Sequence, residues 1–401
     1  MKNKSVIKWL TLGLMIFSLA SCMKDDFIES KSDAVIKLDK SNIPTGYKLG
    51  AFSVKLKESN TGAEISLALD GSVDSAVTNL NYGTYSASLE GEVEIIDNGV
   101  TKKMKANARL ESIVVNANKT AISLKLFLSD PTAQFVFKEI FFTGTRTPEN
   151  KAYNGDKYFI IQNNSNDTLY ADGLLIAQST FLTTTKREYT PDVMNEAFTT
   201  QQIIMIPGDG DDYPVLPGAQ FVIANNAINH TEANSNSFDL SKADVEIELL
   251  SSINVDNPNV PNTISVAGTM IMHDRGFTSY VLGRLPASET IESYKEKNAY
   301  TCTYIGTIGR VMTVNAYKFP NSYVQDAVNL SVEEGYEWLV TSPSLDMGWS
   351  FCGKTSSDAN RYGKAVARKS YGQTSDGKSL LQDTNNSAND FNAEVAPSLK
   401  K

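Results

Sequence analysis

Apolar and polar residues alternate at period two in one stretch after another of residues 34–130, and that pattern leaves room for little but β structure. The stretches are 34–40, 52–58, 63–70, 84–96 and 121–128. Polar turn-like pieces separate them: Ser59 to Gly62, Asn81 to Gly83, and Asp97-Asn98-Gly99. Asn98-Gly99 is a strong hairpin signal, because both central residues of a type I′ turn need positive φ. No window here keeps a 3.6-residue period over three turns. Residues 34–130 therefore read as an all-β domain, a sandwich with one face of each strand on the core. Ser129-Asp130-Pro131 marks the boundary.

The chain after the boundary is also β-rich, with longer loops. In 134–148, Phe135, Phe137, Glu139 and Phe141 alternate with Val136, Lys138, Ile140 and Phe142. Apolar residues on both faces predict a strand buried centrally. Strands are expected again in 158–179, 201–227 and 243–250, and loops in 149–157 and 251–263. A helix is expected over 322–329, with Ser322 as its cap and Val324, Ala327 and Val328 facing inward. Residues 292–299 are polar and charged, and the pattern assigns them no element.

The first 22 residues read as an address. Lys2, Lys4 and Lys8 precede an apolar run from Leu10 to Leu19, too short and asymmetric for a transmembrane helix. Leu19-Ala20-Ser21-Cys22 looks like a bacterial lipoprotein signal, cut before Cys22 so that Cys22 carries the lipid. Residues 1–21 are then the signal peptide and 22–33 the lipidated Cys and tether. Lys24-Asp25-Asp26 resembles the export signal of Bacteroidota surface lipoproteins. The expected location is the outer membrane, anchored through its lipid and facing the exterior. Cys302 and Cys352 would then sit in an oxidising compartment, where they could pair as a disulfide or pack as small core residues.

Several strings coincide further on. They are 137–142, 156–165, Leu169 to Leu174, 216–230, 239–246, 360–366 and 381–391. Together they resemble a family of Bacteroidota outer-membrane lipoproteins of unknown function. That resemblance implies an N-terminal immunoglobulin-like or carboxypeptidase-regulatory-like domain at 34–130 and a larger β domain at 131–401. The second region also resembles the lamin tail fold. The residues are Ile161-Gln162-Asn163-Asn164, Ala171-Asp172-Gly173-Leu174 and Pro217 to Ile223, with Gln162 where Glu is common. The expected fold class is mainly β, an immunoglobulin-like sandwich followed by a lamin-tail-like sandwich with long loops. The resemblance brings no activity with it.

The residues exclude several chemistries. Two His and three Cys cannot build a three-His or four-Cys zinc site within one chain. A net charge of −9 does not favour nucleic acid as a partner. No nucleophile elbow, zincin helix, phosphate loop or dinucleotide fingerprint is present. His230, near Glu232, and His273, beside Asp274, are the candidate general bases, with a structural His as the competing reading. Glu139, Asp156, Asp172 and Glu246 are the carboxylates a glycosidase reading would draw on. Asp209, Asp211 and Asp212 could offer oxygen ligands to calcium, although plain turn chemistry explains the string equally well. The turn 382–387 reads as structural, its short amide and carboxyl side chains bonding nearby backbone. Tyr336, Trp338, Trp349 and Phe351 could stack on a sugar or a partner protein, or pack in the core. The leading expectation is a non-catalytic surface protein binding glycan or protein. A polysaccharide or peptidoglycan hydrolase and a structural subunit of a surface assembly are the alternatives.

Overall fold

The structure is a computed structural model that describes residues 30–400, apart from 42, 44, 98–99, 130–133, 166, 249–254 and 374–376. Cys22, the tether up to residue 29 and the Asn98-Gly99 turn lie outside the described residues. The chain is mainly β-stranded.

Residues 31–129 form two sheets on a common core. One has three strands, in the order Ser75–Asn81, Lys31–Asp39, Lys119–Lys125, the last two parallel. The other has five, in the order Glu64–Asp70, Lys48–Glu58, Gly83–Asp97, Val100–Val115, Phe127–Ser129. Alternation decides which side chains meet between them. Ile36, Leu38, Phe52, Val54, Leu56, Leu89 and Val93 are buried, while Lys37, Ser53 and Lys55 between them are not. The strands at 75–81 and 100–115 have no equivalent in the pattern read above. The first is mostly polar, and the second puts Met104, Ala106, Ala108 and Leu110 on one face, with Ile113 and Val115 turned to the core only after the positive-φ Ser112, so its alternation is weak.

Residues 135 onward build two larger sheets. The six-stranded one runs Val245–Glu246, Gln220–Ala224, Tyr158–Asn163, Phe135–Phe141, Ala365–Arg368, Phe391–Val395. The eight-stranded one is centred on Ala197–Met205, Leu174–Ser179 and Tyr280–Arg284. One cluster joins Phe135, Phe137, Phe159 and Ile161 of the first sheet to Leu174, Ile176, Tyr280 and Val328 of the second. A second cluster, with Phe141, Tyr158, Ile160 and Phe238, covers the far face of the six-stranded sheet. A third, with Leu175, Ala177, Phe198, Val281 and Phe319, covers the far face of the eight-stranded sheet. Both central strands are thus apolar on both faces, as 134–148 predicts.

One detail departs from simple alternation. The register against Tyr158–Asn163 shifts between Ile160 and Ile161, which pair with Glu139 and Phe137 and leave Lys138 extra. This bulge reverses the faces. Phe135 and Phe137 face the inter-sheet cluster, but beyond the bulge Ile140 and Phe142 do so, and Phe141 turns to the other side.

Two local expectations are corrected. Residues 322–329 are not a helix: a 3₁₀ turn at Asn321–Tyr323 leads into the strand Val324–Val328, which pairs with Tyr280–Arg284. Sheet pairing outweighs a short three-four spacing of apolar residues. The helix lies instead at Ile291–Asn298, with a Thr290/Ser293 capping box, Glu292 in its first turn and Lys295 and Lys297 in its last. Only Tyr294 on it is buried, so no apolar stripe announces it.

Candidate functional site

The groups that could do acid–base chemistry are engaged in holding the fold. His230 is buried and its Nε2 lies 2.9 Å from the Asn226 carbonyl, which fixes that nitrogen as the donor. Its Nδ1 then accepts from the Tyr153 hydroxyl at 2.8 Å. Burial lowers its pKa. His273 stacks on Phe277, accepts the Arg275 N–H at 3.2 Å, and is pushed by burial down to about 4. Asp274 turns to Arg361 at 3.0 Å rather than orienting His273.

The carboxylates tell the same story. Glu139 accepts the Tyr158 hydroxyl and the Ser398 N–H. Asp156 accepts hydroxyls from Thr145 at 2.5 Å and Ser237 at 2.6 Å. Glu246 accepts the N–H groups of Ala227 and Asn257. Asp172 accepts N–H groups from Gly210, Asp212 and Tyr213, and so shapes the acidic loop from within. Asp212 in turn accepts the Asp209 N–H at 2.9 Å. A Cβ on Gly208, at φ +122°, would sit 2.1 Å from the Asp172 carboxylate. The loop is a turn wrapped round Asp172, and Asp209, Asp211 and Asp212 do not converge on one point. Among the described residues no three His, Cys, Asp or Glu side chains are grouped to hold a metal ion. The calcium reading therefore has no geometric support at these residues.

Cys302 and Cys352 are free, buried thiols in different core clusters, so of the two readings it is core packing, not a disulfide, that the structure shows. Each fills a small apolar space.

The aromatic segment divides in two. Trp338 packs with Phe181 against the outer cluster of the eight-stranded sheet and donates its indole N–H to the Leu182 carbonyl at 2.8 Å. Tyr336 and Trp349 stack at 4.7 Å with planes 9° apart, and Trp349 also meets Phe351 at 5.5 Å. All three are half-buried. The stack covers one face of each of its two rings, so it offers a smaller platform than four free aromatics would.

An open concavity lies elsewhere. A cleft of about 730 Å³ separates the N-terminal five-stranded sheet from the loop 382–384. A 250 Å³ extension runs on past Ser53, Lys55 and Ser88 to Asn386, Ala388 and Asn389. On the sheet side the Phe52 ring lies across Gly91, where any Cβ would strike it at 2.0 Å. Half-buried Met104 adds an apolar spot. Around it stand Glu92 with Lys105 at 3.4 Å, and Lys103 with Glu92 and Glu94 at 3.5 and 3.6 Å. Asn389 donates to Glu90 across the junction.

The opposite wall is the C-terminal string 381–391, and it is held rigidly. The Asp390 carboxylate accepts the N–H groups of Thr384 and Asn386, the Thr384 hydroxyl and the Gln382 amide. Fully buried Asp346 accepts the Ser387 N–H at 2.7 Å and its hydroxyl at 2.5 Å, together with N–H groups of Asn329 and Gly348. Asn164 exchanges both amide bonds with the Leu381 backbone, and Gln162 donates to the Ser379 carbonyl. The two most distinctive strings of the sequence, 162–164 and 381–391, are thus parts of one brace. At its base, buried Arg368 reaches Asp326 at 2.6 Å, Asp383 at 3.4 Å and Asp390 at 3.8 Å. It also donates to the Phe137 and Gln382 carbonyls. Burial and the neighbouring Asp383 push Asp326 up to about 7 and Asp390 up to about 6, against the pull of the guanidinium.

Comparison with known proteins adds the following. The model of a family of unknown function, DUF4876, matches residues 216–398, which include the rigid wall of the cleft. No curated protein matches the sequence. The crystal structure of a DUF4876 family protein from Bacteroides thetaiotaomicron VPI-5482 is similar over 92% of this chain and 97% of its own, with a TM-score of 0.59 at 24% identity. A structure from Bacteroides ovatus ATCC 8483, described as that of a proposed adhesin, is 12% identical with a TM-score of 0.20 over 73% of this chain and 84% of its own. That second likeness is too distant to carry an argument. The chain is similar in sequence to DUF4876 proteins over residues 216–398, and it shares the fold of one of them over nearly its whole length.

Proposed function

We propose that this chain is a surface lipoprotein of the DUF4876 kind whose role is non-catalytic binding of glycan or protein at the outer membrane. In this reading Cys22 carries the lipid, and residues 22–33 tether an immunoglobulin-like body at 34–130. A lamin-tail-like body at 131–401 stands beyond it. The observation that carries the reading is the cleft: a braced loop faces a sheet, and both walls present amides, hydroxyls and paired charges around a small apolar floor. Rigid walls of that composition suit recognition, because little ordering is needed on binding. The hydrolase alternative draws on Glu139, Asp156, Asp172 and Glu246, all engaged by backbone or hydroxyl donors away from the cleft. The test is an array of glycans and peptidoglycan fragments on residues 30–401, read for binding and for product release. Binding without product is expected. Released product would overturn the non-catalytic reading.

A further inference from the structure

The hairpin Ala299–Ile305/Val311–Pro320 ends in a tip unlike the rest of the surface. Ile308 at the apex is 88% exposed, Ile305 61%, Val311 60% and Met312 42%. Its strands pair Ile305 with Val311 and Tyr304 with Met312. Successive pairs point to opposite faces, so the tip is apolar on both faces as well as at its apex. The neighbouring strands end before Ile305 and Val311. Ala197–Met205 pairs only with Tyr317 to Pro320, and Tyr189–Thr190 only with Thr303 and Tyr304. The turn itself is ordered, with the Gly306 N–H on the Arg310 carbonyl at 2.7 Å and the Gly309 N–H on the Gly306 carbonyl.

Charge distinguishes the tip further. Residues 297–325 contain no Asp or Glu, in a chain that has 46 of them. Arg310 sits in the turn. Behind it, Arg187 lies over the Tyr304 ring at 4.9 Å, next to an exposed Lys186–Glu188 pair at 3.3 Å, and Lys318 lies further back over the Tyr300 ring at 5.6 Å. An apolar apex backed by tyrosines and cations is the layering that suits the boundary of a bilayer, acyl region first and headgroups next. A groove on another protein would cover one face of such a tip, whereas lipid surrounds it.

We infer that this hairpin tip inserts into an anionic lipid surface, with Ile308 leading and Arg310 and Arg187 at headgroup level. The inference is independent of the cleft. Its test is co-sedimentation of residues 30–401, which lack the apolar N-terminal run, with vesicles of equimolar phosphatidylcholine and phosphatidylglycerol. Binding is expected, with Ile308→Asp at least about tenfold weaker and Arg310→Ala weaker by several fold. An unchanged unfolding midpoint in Ile308→Asp excludes misfolding as the cause. An Ile308→Trp variant should show blue-shifted emission on the same vesicles. Failure of the wild type to bind, equal binding by Ile308→Asp, or an unshifted Ile308→Trp spectrum would each overturn the proposal. So would vesicle-independent self-association that Ile308→Asp abolishes.

Discussion

Arg368→Met should destabilise the C-terminal body by about 3–5 kcal/mol, the usual cost of removing one partner from a buried ion cluster. Methionine can keep most of the packing that the guanidinium makes over the Phe391 ring at 4.6 Å. It cannot supply the charge that faces Asp326, Asp383 and Asp390, nor the donors to the Phe137 and Gln382 carbonyls. Arg368→Lys restores the charge but not the planar fork, so it should recover only part of the loss. Chemical unfolding of residues 30–401 checks this. Core clusters do not mix residues from the two sides of 130–133, so the N-terminal body should unfold as before. A loss under about 1 kcal/mol would mean that the brace is not held by this cluster.

The second large effect is a pH dependence. Asp326 and Asp390 have folded-state pKa values raised to about 7 and about 6 by burial. The folded state therefore binds protons that the unfolded state has released above about pH 4. Their contribution is fully present below the unfolded value near 4 and is lost as pH rises through 6 and 7. His273, held neutral down to about 4, acts in the opposite sense: its contribution is present above its unfolded value and lost as pH falls. The total profile mixes the two. The difference between wild type and Asp326→Asn isolates the first, and the stability advantage of wild type should shrink steadily from pH 4 to 7.5. A difference independent of pH would contradict the raised pKa of Asp326.

Much of this architecture is legible in period-two alternation. Phe52, Val54 and Leu56 announce their strand, and Phe135 to Phe142 announce a doubly buried one. What alternation misses has physical causes. The bulge at Lys138 adds one residue and swaps faces, which no local pattern encodes. Val324–Val328 is drawn into a strand by Tyr280–Arg284, more than 40 residues away. The helix at Ile291–Asn298 carries its signal in its cap and terminal charges rather than in an apolar stripe. The cleft is the least legible feature. Ser53, Glu90 and Met104 are brought together by pairing within the N-terminal sheet, and Thr384 joins them only where the two bodies meet. The brace was partly visible, since the amides of 162–164 and the string 381–391 stand out, but that they bond to each other is a tertiary fact.

The cleft as ligand site is the central claim, and a steric block tests it most directly. Ser53 is exposed on the strand Lys48–Glu58 and lines both the cleft and its extension. A Ser53→Trp substitution suits a strand and fills the space without touching the core. On the same array, ligands bound by the wild type should bind Ser53→Trp at least about tenfold more weakly, a change of about 1.4 kcal/mol or more. Undiminished binding by Ser53→Trp, with loss in Trp349→Ala instead, would contradict the cleft and move the site to the Tyr336–Trp349 stack.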